Sequence, residues 1–300
     1  MTIQIHPSGA PLGHEIRGAD LSGPLSDADF AAIESAYDTC GVIVIRDQTL
    51  TPDRQIAFSR RFGPLDRYVL ERYNLPSHPD IFVVSNVIEN GRPIGLADAG
   101  RYWHTDMWVR PVPPRGSILY ALEVPQRDGE PLGDTWFASM SAAYDALPES
   151  LRGRIEGREA LYSARKNVEY RIANAPVDPK TGELSEEAKE GMRERLTNMT
   201  PEIVHPLVKR HPRTGRKCIY YSEGAIERIV GMDSAESDET LEALRRHVLE
   251  PRFAYRHRWR VGDVVMWDNV SCIHKAVGDF ELPLRRRMHR TTLSALPVVE

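Results

Sequence analysis

Three side chains could hold a metal ion. In Trp103-His104-Thr105-Asp106 the imidazole and the carboxylate stand two residues apart, so on an extended segment both point to the same side. A third ligand has to come from elsewhere. His274 is the best candidate, because it follows a run of strand character at Val264–Trp267 and a turn at Asp268-Asn269, and precedes an arginine-rich stretch. Two imidazoles and one carboxylate on one face of an octahedral ion leave three positions open, the arrangement of non-haem iron(II) oxygenases. A chelating 2-oxo acid can take two of those positions and oxygen the third. The same trio could hold zinc with an activated water, so a zinc-type metallohydrolase and a non-catalytic metal-binding jelly roll compete with the oxygenase on these residues alone. His-x-Asp is common in a chain with ten histidines, and His78, His205, His211 and His257 read as ordinary surface or core residues.

A dianionic cosubstrate needs a fixed cation, and a guanidinium offers a planar fork that matches a carboxylate. The segment from Arg285 to Thr292 lies 11 to 18 residues beyond His274 and holds four arginines. As a strand it would place Arg286, Met288 and Arg290 on one face and Arg285, Arg287 and His289 on the other, and only one set can face a metal. Such a charge run can equally be a solvated edge.

The elements that must position these residues are punctuated clearly. Ser26-Asp27-Ala28-Asp29 reads as a capping box opening a helix that Gly41 stops, and Thr51-Pro52 opens a second towards Arg61. Further helices are expected over Ser141 to Leu147, near Ser185 to Leu196, and over Asp238 to Leu249. Strand character marks Val42–Ile45, Ile81–Ser85, Ser117–Leu122, Lys217–Tyr221, Val264–Trp267 and Met288–Leu293. From Phe253 to Arg260 apolar and basic residues alternate, as in a half-buried antiparallel strand. Many short strands with peripheral helices predict a mainly β fold with flanking helices, a sandwich or jelly roll, in a single domain over 1–300. The Lys/Glu-rich stretch 165–200, with Asn174 to Pro179 inside it, is expected to be a lid or insertion.

The composition excludes several classes. The 300 residues carry 39 Lys+Arg against 43 Asp+Glu, a formal charge of -4, so no polyanion-binding excess exists and nucleic acid is not an expected partner. No apolar run approaches the roughly 18 to 20 residues that span a bilayer, and the N-terminus lacks a signal-peptide pattern, which predicts a cytoplasmic protein without a membrane partner. Three cysteines without C-x-x-C spacing argue against a disulfide framework or a zinc cysteine cluster.

Taken together, the chain resembles the TauD/TfdA family of taurine-type iron(II)/2-oxoglutarate dioxygenases. The resemblance runs through Gly41 to Gln48, Ala57 to Pro64, Trp103 to Asp106, Gly133 to Thr135, Tyr255 to Trp259, Val261 to Asn269, His274 and Arg286 to Thr292. It implies a double-stranded β-helix, with His104, Asp106 and His274 on iron, and Thr135 and Arg286 on the 2-oxoglutarate carboxylate remote from the metal. It places Arg290 at the cosubstrate or substrate edge of the pocket. One residue is inserted between His274 and the arginines relative to the family pattern, which makes Arg285 a second choice for the cosubstrate. The implied activity is hydroxylation or oxidation of a small organic, anionic substrate, with O2 consumed and succinate and CO2 released. A dimer or tetramer is the implied assembly.

There are departures from the family pattern. Where taurine-specific members carry a histidine after the Phe-Gly segment, this chain has the stretch Pro64 to Tyr73, with Tyr68 near that place, which argues against taurine. Glu130-Pro-Leu-Gly-Asp-Thr135 lengthens one turn but keeps the threonine. Asp106 retains the carboxylate ligand, unlike the related iron halogenases. Candidate substrate contacts are Tyr68, Tyr73, Ser85, Asn86, Tyr102, Met107, Trp108 and Arg290.

Overall fold

Val42–Ile45, apolar and buried at every residue, marks the central layer, because both of its faces are covered. The computed structural model describes residues 3–67, 70–97, 100–173 and 185–296. Its main sheet has nine strands, with Val42–Ile45, Val264–Asp268, Gly116–Glu123, Arg287–Leu293 and His78–Ser85 adjacent in that order at its centre. All these neighbours are antiparallel; His14–Arg17 joins Val42–Ile45 in parallel. Odd and even residues of one strand face opposite ways. Ile43, Ile45, Ile118, Tyr120, Val264 and Met266 therefore share one core with Ile33, Tyr37 and Phe58 of two helices, Asp27–Cys40 and Pro52–Arg60. Val42, Val44, Leu119, Ala121, Val265 and Trp267 share the other with Phe137, Trp259 and Cys272.

Those last residues introduce the second layer, a three-stranded antiparallel sheet ordered Ala254–His257, Thr135–Ser139, Cys272–Ala276. Its outer side joins a third core that includes Tyr144, Leu151, Ile219, Leu244 and Phe253, and the strand Glu159–Tyr162, which lies between Ile203–Pro206 and Ile226–Ile229. The observed architecture is mainly β with flanking helices.

The helix expectations hold at their caps. Ser26 Oγ accepts from the Asp29 amide, and Gly41 closes the first helix at φ 74° with its N–H on the Tyr37 carbonyl. Thr51 caps the second. The helix expected from Asp238 starts earlier, at Ser234, because Asp233 accepts from the Glu236 amide as N-cap. The short helix is Met140–Asp145, one residue early, capped by Ser139. The alternating stretch forms a ladder only over Ala254–His257, since its partner strand begins at Thr135, opposite His257. Alternate burial nevertheless continues to Trp259, which is fully buried.

Two helices, Arg165–Ala173 and Glu186–Met199, occupy the expected lid, with 174–184 outside the described residues. All three cysteines are free and buried. Among the described residues no helix is long and apolar enough to cross a membrane.

Candidate active site

Strand geometry brings the three candidate ligands together. His274 follows the strand Val264–Asp268, as expected, and lies inside the next strand, Cys272–Ala276, where it pairs with Phe137. His104 sits opposite it in an isolated antiparallel bridge. The His104 amide donates to the His274 carbonyl at 3.0 Å, and the His274 amide returns a 2.8 Å bond to the His104 carbonyl. This fixes both imidazoles on one side of a two-residue ladder, with ring centroids 4.1 Å apart. Asp106, two residues on, completes the group, and one ligand atom from each residue lies within 4.8 Å of the others. Gly100, at φ 72°, runs against the His104 ring, where a Cβ would collide with it.

The protonation states suit metal ligation. His104 Nδ1 lies 2.8 Å from the Tyr102 carbonyl, which can only accept, so Nδ1 carries the proton and Nε2 presents its lone pair 3.8 Å from Asp106 Oδ1. Burial keeps His104 neutral against the pull of Asp106, and burial with the neighbouring His104 pushes His274 down to about 3. Burial opposes ionisation of Asp106, but Arg290, the two imidazoles and the Ser117 hydroxyl outweigh it and hold the carboxyl well below its ordinary range. Ser117 Oγ donates to Asp106 Oδ2 at 2.8 Å, and Arg290 Nη1 approaches Oδ1 at 3.4 Å. The donor set therefore offers two neutral nitrogens and an anionic oxygen, which fits a divalent iron ion.

The segment carrying the ligands is clamped along its length. Thr105 donates its hydroxyl to the Asn269 carbonyl at 2.7 Å. Met107 takes a left-handed backbone, φ 55°, directly after Asp106, a conformation that costs a β-carbon residue about 1 kcal/mol or more. The next carbonyl, Trp108, accepts from His205 Nε2 at 2.7 Å, and His205 Nδ1 in turn meets Lys209 Nζ at 3.1 Å. Burial holds His205 down to about 4 and Lys209 down to about 8, so the imidazole is neutral and can accept from the lysine. His205, unremarkable in sequence, is thus an anchor of the ligand segment.

The cavity beside the ligands is lined at one end by Thr135, Phe280 and Arg286, by His104 and Arg290 at the ligands, and also by Arg101. Arg286 precedes the strand Arg287–Leu293 and shares the inner face with Met288 and Arg290, as the parity argument required. Only 6% of Arg286 is exposed, and among the described residues no carboxylate is hydrogen-bonded to its guanidinium. The guanidinium lies between the rings of Trp259 and Phe280, 5.9 and 5.7 Å from their centroids. Burial pulls it down to about 10 despite Asp279 and Asp134 nearby. A buried cation without an acid at bonding distance fits a carboxylate ligand. Thr135 Oγ1 accepts from Trp259 Nε1 at 3.0 Å and lines the same end. Arg285, the second choice, points away and pairs with Glu123 at the surface.

The substrate candidates divide. Ser85 and Asn86 line the cavity, but Ser85 donates to the Arg286 carbonyl, and Asn86 accepts from the Arg286 amide and donates to the Leu284 carbonyl. Both side chains thereby fix the backbone that carries Arg286. Tyr73 is half-buried, away from the cavity lining, against Phe82, whose ring lies under Arg290. Tyr102 stacks at a tilt on His104, with Gly224 leaving room for its ring. Met107 and Trp108 belong to the clamped segment, and Trp108 is buried in the outer core. Tyr68 lies outside the described residues. Ser117 was missed in the sequence; its only signal is a hydroxyl in an otherwise apolar strand.

A buried His-x-Asp/His group facing a buried guanidinium between antiparallel sheets defines the class: a metal-dependent oxygenase using a 2-oxo acid. The model of the family "Taurine catabolism dioxygenase TauD, TfdA family" matches residues 4–292, and the chain belongs to that family. Among curated relatives, pentalenolactone F synthase of Streptomyces arenae is 36% identical over 292 residues, covering 95% of this chain and 93% of that one. The alpha-ketoglutarate-dependent 2,4-dichlorophenoxyacetate dioxygenase of Cupriavidus pinatubonensis is 31% identical over 303 residues, covering 97% and 98%. The crystal structure of AAD-2 in complex with Mn(II) and N-oxalylglycine superposes with a TM-score of 0.76 at 29% identity, covering 100% of both chains. The protein is an iron(II)- and 2-oxoglutarate-dependent dioxygenase that consumes O2 and acts on a small molecule. The zinc-hydrolase and non-catalytic readings give way to it.

Proposed function

We propose that this dioxygenase hydroxylates a small organic anion at an iron held by His104 Nε2, Asp106 and His274, with 2-oxoglutarate anchored at its remote carboxylate by Arg286 and Thr135. The observation that carries this reading is the pairing of the three-ligand group with a buried guanidinium that lacks an acid partner, both opening on one cavity. Bound iron supplies the oxidative decarboxylation of 2-oxoglutarate to succinate and CO2, coupled to attack on a substrate C–H bond. The chain's own residues orient and shield. Arg286 fixes one end of the cosubstrate, so that its oxo-acid end is presented to the ligand group. The rings of Trp259 and Phe280 exclude water from that end. Arg290 and Ser117 hold the two oxygens of Asp106, which keeps the carboxylate ionised and aimed.

The name of the 2,4-dichlorophenoxyacetate dioxygenase denotes a carboxylate substrate, which supports an anionic substrate here. The two packed, largely antiparallel sheets support a double-stranded β-helix in one domain over 1–300. Cover by the 165–200 insertion, a dimeric or tetrameric assembly and a cytoplasmic location belong to the same reading.

Anaerobic addition of Fe(II) and 2-oxoglutarate to the apoprotein tests the assignment. The weak visible charge-transfer absorption of a bidentate 2-oxo acid is expected in the wild type and absent in Asp106→Ala. An unchanged band in that variant would remove Asp106 from the metal.

A further inference from the structure

The strand Val208–Arg210 turns a lysine inward. It pairs with Lys217–Ile219 so that Lys209 stands opposite Cys218, which is fully buried in the outer core, and directly opposed residues of a ladder project to the same face. The Lys209 ammonium lies over the Tyr220 ring, 4.3 Å from its centroid, and meets His205 Nδ1 at 3.1 Å. Among the described residues no carboxylate pairs with it. A lysine in this place is costly, since burial pulls its ammonium down to about 8 and an apolar side chain would fill the space without that cost.

What the lysine supplies is direction. An ammonium can only donate, so Nδ1 of the neutral His205 ring accepts, and the ring's single proton stays on Nε2. Nε2 faces the Trp108 carbonyl at 2.7 Å, a group that can only accept. The ring is also held by packing, edge-on to Tyr162 and Tyr220 with centroids 5.2 and 5.0 Å away. Trp108 follows Met107, whose left-handed backbone directly succeeds Asp106. A chain of contacts thus runs from Lys209 through His205 to the far side of the strained residue beside a metal ligand. None of Lys209, His205 and Trp108 lines the cavity.

We propose that Lys209 and His205 are positioning residues that aim the Asp106 carboxylate at the metal by pinning the Trp108 carbonyl, the lysine acting by fixing which nitrogen of His205 donates. The proposal rests on the ligand assignment above. Without the pin, the turn at Met107 is free to relax to an ordinary backbone conformation, and Asp106 moves with it.

The test is Mn(II) titration of the protein at saturating N-oxalylglycine, read by the paramagnetic resonance signal of the free ion, beside thermal unfolding of the metal-free protein. Lys209→Met keeps the length of the side chain but cannot donate. It should weaken Mn(II) by about 10-fold and unfold at about the wild-type temperature, because the cost of burying the amine is removed as Nδ1 loses its partner. His205→Phe keeps a ring between the two tyrosines without either nitrogen and should weaken Mn(II) by about 10- to 100-fold. His205→Gln returns an N–H donor towards Trp108 and should recover most of that affinity. Asp106→Ala is the reference for a lost ligand. Wild-type Mn(II) affinity in Lys209→Met overturns the proposal, whatever the other variants do, and a lost affinity in Asp106→Ala then leaves the ligand assignment standing. A loss in His205→Phe that His205→Gln does not recover makes the ring a packing element and also overturns it. Wild-type affinity in Asp106→Ala removes the ligand assignment and the proposal with it.

Discussion

The two ends of the cavity are built from different material. At the inner end, Arg286, Thr135 and Trp259 are almost wholly buried, and each is tied to a strand or to the turn beside one. On the other side, the exposed Arg101 lines the cavity from a loop, and its neighbour Gly278 belongs to a loop as well. On the proposed function the inner end serves the cosubstrate, which does not change from one substrate to the next, so it can be held by backbone ladders and packed rings. The loop side is the part that can differ between substrates, because loops can be altered there without cost to the sheets. The metal ligands sit on the boundary, with His274 on the sheet side and His104 paired to it from the loop side.

If this division is right, the largest single effect on the cosubstrate comes from the inner end. Arg286→Gln should raise the 2-oxoglutarate concentration for half-saturation by about 100-fold, the worth of a bidentate charge-assisted pair, while Fe(II) affinity stays near that of wild type. The measurement is succinate formation against 2-oxoglutarate concentration, beside a metal titration. A comparable loss of Fe(II) binding would show that the inner end and the ligand group are one unit and would dissolve the distinction.

Parts of both regions were legible in the sequence for physical reasons. His104 and Asp106 were visible because a period of two is a property of extended backbone, and Arg286 because the same parity separates it from Arg285 and Arg287. The helix limits at Ser26, Gly41 and Thr51 were visible because capping is local chemistry. The strand around His274 was not, since Cys-Ile-His-Lys-Ala has no alternation and is held by ladder bonds to Thr135–Ser139 and by the bridge to His104. The strand Glu159–Tyr162 and its neighbours were missed for the same reason: their burial is set by distant partners in the outer core. The roles of His205 and Ser117 depend on contacts 97 and 11 residues away, which no periodicity records.

A smaller effect probes the boundary itself. Arg290 was expected at the edge of the pocket, and its guanidinium reaches the metal-side carboxylate, so Arg290→Gln should weaken Fe(II) by about 10- to 100-fold, as loss of an outer-shell partner does. The half-saturating 2-oxoglutarate concentration, measured at saturating Fe(II), should change less than in Arg286→Gln. The reverse ranking in a paired metal and 2-oxoglutarate titration would assign Arg290 to the cosubstrate and extend the inner end up to the metal.

The smallest effect separates the two oxygens of Asp106. Ser117 donates to Oδ2 from a strand at the centre of the main sheet and is fully buried, whereas Arg290 approaches Oδ1, the oxygen that also faces His104. Removing the hydroxyl in Ser117→Ala deletes one hydrogen bond to a charged group without removing a charge, and a methyl takes up almost the same space. The expected loss in Fe(II) affinity is about 10-fold, with a stability cost of about 1 to 3 kcal/mol from the less satisfied buried oxygen. Metal binding should restore part of that stability, because a ligand that binds only the folded state stabilises it by RT ln(1 + [L]/Kd). Thermal unfolding of wild type and variant with and without Fe(II) under anaerobic conditions reads both quantities together. If the variant loses stability but keeps wild-type metal affinity, Ser117 belongs to the packing of the sheet, and Asp106 is oriented from the Arg290 side alone.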